Sequence, residues 1–169
     1  MGKSIHKGRF TASAAVLAAA MVVTLPAYDV SARGNGWQYL DFASYDAACG
    51  PTTVHVSGVS QEYYRETTLP DGTVEWQVTG SLYVTYETDE KSITVNSSGP
   101  GHLLVFPDGV VEVVAHGRNS FTFSAEQAET LGVPQISVSA GPFDVKWHTD
   151  GTVSGHLGTI IRDVCAELT

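Results

Sequence analysis

Three short turns punctuate the chain, and each ends in Asp-Gly: Pro70-Asp71-Gly72, Pro107-Asp108-Gly109 and Thr149-Asp150-Gly151. Each lies between two runs in which apolar and polar residues alternate with period two, the period of a half-buried strand. In the first two, proline suits the second position of a type I turn, and glycine supplies the left-handed position that follows. That chemistry closes a three-residue hairpin loop with a bulge. A chain punctuated this way is built from antiparallel hairpins.

The third turn fixes its own register. A three-residue loop pairs His148 with Thr152, Trp147 with Val153 and Val145 with Gly155. Phe143, Val145, Trp147, Val153, Gly155 and Leu157 then share one face. Asp144, Lys146, His148, Thr152, Ser154 and His156 share the other. A two-residue loop would mix the two sets, because a one-residue slip turns every side chain over. The second hairpin is apolar on both faces, with Glu112 as the odd residue, and is predicted to be the most buried. In the first, Tyr64, Trp76 and Val78 line one face, and Tyr63, Arg65, Thr67, Glu75 and Gln77 the other. After Gly80 the alternation continues through Leu82-Tyr83-Val84-Thr85-Tyr86.

Helix signals are few. Ser124 and Gln127 have capping-box spacing, and Gly132 and Pro134 stop the segment within two turns. A short final helix is predicted from Asp163 to Leu168. The fold class is therefore all-β: a single antiparallel domain of about eight to ten strands, with an up-and-down barrel slightly favoured over a two-sheet sandwich.

The N-terminus reads as an address. Lys3, Lys7 and Arg9 precede an uncharged Ala- and Val-rich run from Phe10 to Ala27, the pattern of a secretory signal peptide. Cleavage is predicted after Ala32, with Ala27 the alternative, and an uncleaved signal anchor as the other reading. Removing residues 1–32 leaves 6 basic and 17 acidic residues, a formal charge of −11 against −9 for the whole chain. The organisation is a signal peptide over 1–32, an irregular N-terminal arm over 33–48 and an all-β domain over 49–169. The acidic balance argues against nucleic acid as a partner. No later run is long enough to cross a bilayer, so no stable membrane insertion is expected after cleavage.

Two cysteines remain, Cys49 and Cys165, 116 positions apart. Redox and metal pairs favour short spacings such as C-x-x-C, so an exported chain with this pair is expected to carry a structural disulfide.

Catalytic signatures are missing. There is no Gly-x-Ser-x-Gly elbow, phosphate loop or dinucleotide fingerprint. Acidic residues are so many that pairs arise by chance. None of His55, His102, His116, His148 and His156 has the close spacing of metal ligands on a strand. No catalytic residue, cofactor or metal is assigned. The densest polar patch is Ala115-His116-Gly117-Arg118-Asn119-Ser120, where His116, Arg118 and Asn119 are candidates to meet an anion or a sugar hydroxyl, or else form an ordinary strand exit. Asn96-Ser97-Ser98 matches a glycosylation sequon. Pro70 to Glu75 echoes Pro107 to Glu112, read here as one turn chemistry used twice.

Several features together resemble small secreted all-β proteins of high-G+C Gram-positive bacteria that have no assigned function. They are the Ala-rich leader, the early Cys49, Asn96 with Gly99-Pro100-Gly101, Asp108-Gly109, Gly117-Arg118 and the closing Asp163-Val164-Cys165-Ala166-Glu167-Leu168. The resemblance implies secretion, the disulfide and the all-β class, and carries over no catalytic residue. The functional expectation is an exported, non-catalytic binding or interaction domain of unknown ligand. The alternative is a small exported hydrolase or isomerase with its site in a barrel mouth. A cavity with convergent polar groups would favour the second, and an exposed aromatic patch the first.

Overall fold

The computed structural model describes residues 36–169. The leader, both cleavage positions and Arg33 lie outside the described residues. In chain order the strands are β1 Gln38–Leu40, β2 Tyr45–Cys49, β3 Thr52–Ser60, β4 Glu62–Thr68 and β5 Val74–Thr79. Next come β6 Leu82–Glu87, β7 Ser92–Asn96, β8 Gly101–Val105, β9 Val111–Ala115 and β10 Arg118–Thr122. After helix α1 Ala125–Leu131, the chain runs through β11 Ile136–Ala140, β12 Phe143–Trp147, β13 Val153–His156 and β14 Thr159–Asp163 to helix α2 Val164–Leu168.

The three Asp-Gly turns form one and the same structure. Leu69, Phe106 and His148 each donate a backbone N–H to the carbonyl four residues on, and accept one from the loop glycine. Gly72, Gly109 and Gly151 all have φ near +90°, which only glycine adopts without strain. The aspartate supplies the rest. Asp71, Asp108 and Asp150 each accept a bond from the backbone N–H two residues on. The third hairpin has the predicted register, with Trp147 opposite Val153 and Asp144 opposite His156.

All strand pairing is antiparallel, in three sheets. One has seven strands in the order β1-β4-β5-β8-β9-β12-β13, one has four in the order β2-β3-β6-β7, and one has three in the order β10-β11-β14. No sheet closes, so the preference for a barrel is not supported. The fourteen strands exceed the expected eight to ten because long runs bend and change sheets. Four connections, β1 to β2, β3 to β4, β5 to β6 and β7 to β8, each cross between the seven- and four-stranded sheets. The N-terminal half is thus one four-stranded ribbon folded sharply along a line. Strands that switch sheets at bends make such corners. At the crease Gln61 N–H donates to the Ser81 carbonyl. Gly80 lies against it with φ +130°, where a Cβ would stand 2.3 Å from the Gln61 oxygen. The continuous alternation across Gly80 therefore spans two strands in two sheets.

The small sheet forms the layer between the other two. Its Ile136 and Val138 pack with Val54, Val56, Val84, Tyr86, Val164 and Leu168 on one side. From its other face Phe121 packs with Phe143, Val145, Trp147 and Ala128. Phe121 and Phe143 stack with ring centroids 3.9 Å apart. This corrects the expectation for the second hairpin. Leu103 and Leu104 of β8 are only half-buried, whereas Ile136, Ser137, Val138 and Ser139 of β11 are all buried. β8 is only partly covered on each face, whereas β11 is covered on both.

The arm read as irregular over 33–48 carries β1 and most of β2. Its pattern lacks a period because the inward face of β1 includes Gln38, which accepts a bond from the Tyr64 hydroxyl, while Tyr39 is exposed. Both helices stand where predicted. Ser124 and Gln127 form a capping box, Gly132 ends α1 in the left-handed region, and Asp163 caps α2. Cys49 at the end of β2 is bonded to Cys165 in α2.

Three stability predictions follow from this packing. Replacing both cysteines by alanine should lower unfolding free energy by ~2–5 kcal/mol in urea titrations, the range for a small secreted domain. Trp147→Ala should cost ~3–5 kcal/mol in the same assay, as for other buried aromatics. His148→Ala, whose ring hydrogen-bonds to the exposed Ser154 hydroxyl, should stay within ~0.5 kcal/mol.

Candidate functional site

The patch read from the sequence does not converge. His116 and Arg118 are exposed at the turn between β9 and β10. The pleat of β10 sends Arg118 and Asn119 to opposite faces. The other histidines lie apart from one another, with His156 exposed. His55 Nδ1 meets Asp46 at 2.9 Å, His102 Nδ1 meets Glu75 at 2.9 Å, and His148 Nε2 meets Ser154 at 2.8 Å. Among the described residues no three His, Cys, Asp or Glu gather as metal ligands.

Asn119 instead faces a cavity of about 100 Å³ inside the crease of the folded ribbon. Its walls are corner residues of every strand that changes sheet. Leu40 and Tyr45 come from the first crossing, Glu62 and Ser60 from the second, Val78 and Leu82 from the third, and Ser97 and Gly101 from the fourth. The far wall is β10, the edge strand of the small sheet, so residues from both its faces, Asn119 and Ser120, reach the space. Ser97 seals that edge by accepting the Ser120 N–H at 2.8 Å. Phe42 closes the near side. It lies against Gly58, where even a Cβ would stand 2.6 Å from its ring, so a larger residue there would displace it. Exposed Asp41 and Ala43 mark the opening.

Glu62 is the unusual group. It is 6% exposed, and its carboxyl has no hydrogen-bonding or ionic partner among the described residues. Its backbone N–H is held by Ser60 Oγ, which in turn donates to the Leu40 carbonyl, so the residue is fixed at the corner. Burial disfavours the charged form and pushes its pKa up to about 7. Asn119 Nδ2 is also buried without a partner. Such a donor costs roughly 1–3 kcal/mol. The hydroxyls around them are engaged: Tyr45 with Thr122 Oγ1 at 3.1 Å, and Ser97 with Ser120 at 3.0 Å. Burial raises the pKa of Tyr45 and Tyr86, so both stay neutral. No lysine or arginine lines the cavity.

Chemically, the cavity offers apolar and aromatic walls, one proton-exchanging carboxyl and one free amide donor. Sequence reasoning named Asn119 for the wrong neighbours and passed over Glu62. The signal was present. Glu62 shares parity with Tyr64, and so lies on the apolar face of the first hairpin.

Glu62 makes stability depend on pH. Its folded pKa lies above the ordinary carboxylate value, so the folded state holds the proton more tightly. Stability is then full at low pH and is lost as pH rises from about 4.5 to about 7. The shift is worth on the order of 3 kcal/mol at pH 8. Glu62→Gln should remove that loss, so urea titrations should find the variant more stable than wild type at pH 8 and nearly equal at pH 4. Equal curves at both pH values would contradict the assignment.

Compared with known proteins, the chain matches no family model, no curated protein and no solved structure. The functional reading therefore stands on this cavity alone.

Proposed function

We propose that the protein is an exported, non-catalytic binding domain that holds a small ligand in the crease of its folded ribbon. One observation carries the reading. The Asn119 amide is buried without a partner, and the carboxyl of Glu62, a residue 6% exposed, has no hydrogen-bonding or ionic partner among the described residues; both line one largely apolar cavity. Unpaired buried polar groups are costly and uncommon, and a few of them in an apolar pocket are what orient a ligand. The space is several times the ~10–15 Å³ that one water needs, and below the ~150 Å³ that accepts benzene. A ligand of a few heavy atoms fits. The Cys49–Cys165 bond and the leader-like N-terminus support an extracytoplasmic setting, and no described helix is long and apolar enough to cross a membrane.

The catalytic alternative has two points in its favour, the first being the cavity with convergent polar groups expected of an enzyme. The second is a carboxyl that titrates near neutrality, which suits general acid–base work. Against it, Tyr45 pairs with Thr122, Ser120 with Ser97, and Ser60 with the Leu40 carbonyl, and none of these partners is a base that could activate a hydroxyl.

A methyl-resolved NMR screen of compounds of four to six heavy atoms tests the reading. A true ligand should shift the methyls of Leu40, Val84 and Ala115 and leave Val153 unmoved. Ala115→Leu should fill the space and abolish those shifts, while Phe42→Ala should admit larger compounds. Hits that leave the lining methyls unmoved would defeat the proposal. Turnover of a bound compound, lost in Glu62→Gln while its binding persists, would replace binding with catalysis.

A further inference from the structure

The charge of the cavity narrows the ligand further, given that the cavity is a ligand site. Two carboxyls border it, Glu62 within and Asp41 at the opening. His102 also lies in the lining; it is exposed, and its Nδ1 is already engaged by Glu75. Tyr45 and Tyr86 are the remaining titratable groups, and burial keeps them neutral. No lysine or arginine in the wall supplies a positive charge to Glu62.

Four aromatic rings line the same space: Phe42, Tyr45, Tyr86 and Phe121. Phe42 and Tyr45 lie with centroids 6.2 Å apart. Ring faces attract cations, and more strongly when water is excluded. An anion would meet an unpaired carboxylate with no compensating cation. A neutral molecule would leave the ionised carboxylate without a counter-charge. The remaining demand is that of Asn119, whose Nδ2 donor needs an acceptor.

We infer that the ligand is a small organic ammonium ion carrying an oxygen acceptor beside its amine. The ammonium pairs with Glu62 and lies against the rings, and the oxygen accepts the Asn119 amide. Asp41 adds negative potential at the entrance and favours entry of a cation.

Three probes of nearly one shape test this: 2-methoxyethylamine, 2-methoxyethanol and methoxyacetate. They differ in being cationic, neutral and anionic. Titration by NMR and calorimetry should show the amine binding most tightly. Its affinity should rise about tenfold between pH 6 and pH 8, as Glu62 goes from mostly protonated to mostly ionised while the amine keeps its proton. In Glu62→Gln the amine should lose its advantage over the alcohol, and its pH dependence should flatten. Asn119→Ala should weaken the amine and the alcohol alike.

The failures separate cleanly. Tightest binding by the alcohol, or affinity that falls from pH 6 to pH 8, overturns the ammonium assignment and leaves the cavity as a site for neutral molecules. Tightest binding by methoxyacetate overturns it in favour of an anion. If none of the three moves the methyls of Leu40, Val84 and Ala115, the ammonium assignment falls. If the wider screen is also silent, the binding reading falls with it.

Discussion

A strand that leaves one sheet for another must interrupt its ladder at the bend. In this protein four crossings do so along one line, and the rest of the structure is arranged around them. Antiparallel pairing persists across the crease through Gln61 N–H and the Ser81 carbonyl, with Gly80 alongside because no Cβ fits there. Folding the ribbon turns one face of each half inward and leaves a concavity at the corner. The small sheet fills most of that concavity, and its central strand β11 is buried on both sides as a result. What it does not fill, beside the free edge of β10, is the cavity. The disulfide acts at the remote end of this arrangement, tying β2 to α2 where the four-stranded sheet meets the chain's last helix.

Local turn chemistry was fully legible. Three Asp-Gly loops, the capping box at Ser124 and the Asp163 cap follow from residues two to four positions apart, so short windows contain everything they need. Register in the third hairpin was equally legible, because Trp147 and Lys146 have opposite preferences. The bend was not. Alternation survives it, since Val78 and Leu82 both point inward on either side of Gly80, and nothing in periodicity separates a straight strand from a folded one. Layering was hidden for a related reason. Ile136-Ser137-Val138-Ser139 alternates like a half-exposed strand, yet Ser137 and Ser139 are fully buried with their hydroxyls unpaired. The second hairpin misled in the opposite direction, since most apolar residues of its two faces are only half-buried.

The candidate site shows the same division. Asn119 could be picked out as a polar residue near a turn, but its partners could not, because they come from corners far apart in the chain. Residues 40, 62, 82, 97 and 119 meet only through the topology. His116 and Arg118, its neighbours in sequence, are held away from it by the pleat and by the exposed turn.

The comparison among the glutamates of the seven-stranded sheet bears most directly on function. Glu66 accepts the indole N–H of Trp76 at 2.8 Å. Glu75 holds His102 at 2.9 Å, and Glu112, buried to 8% exposure, has Lys146 at 3.3 Å. Each has a partner on an adjacent strand, as cross-strand pairing allows. Glu62 opens β4, and its pairing partner on β1 is Leu40, an apolar residue. On the other side the chain turns into the crease at Gly80, which lies against the Glu62 backbone and has no side chain to offer. The same bend that makes the cavity therefore strips Glu62 of a cross-strand partner. A carboxyl so placed has three ways to avoid an isolated buried charge: protonation, water, or a molecule from outside. Protonation meets the need below neutral pH, which the raised pKa expresses. Above it the ionised group is left to water or a cation, and a cation brings the charge that water lacks. Occupancy by such a ligand and ionisation of Glu62 are then linked, each favouring the other.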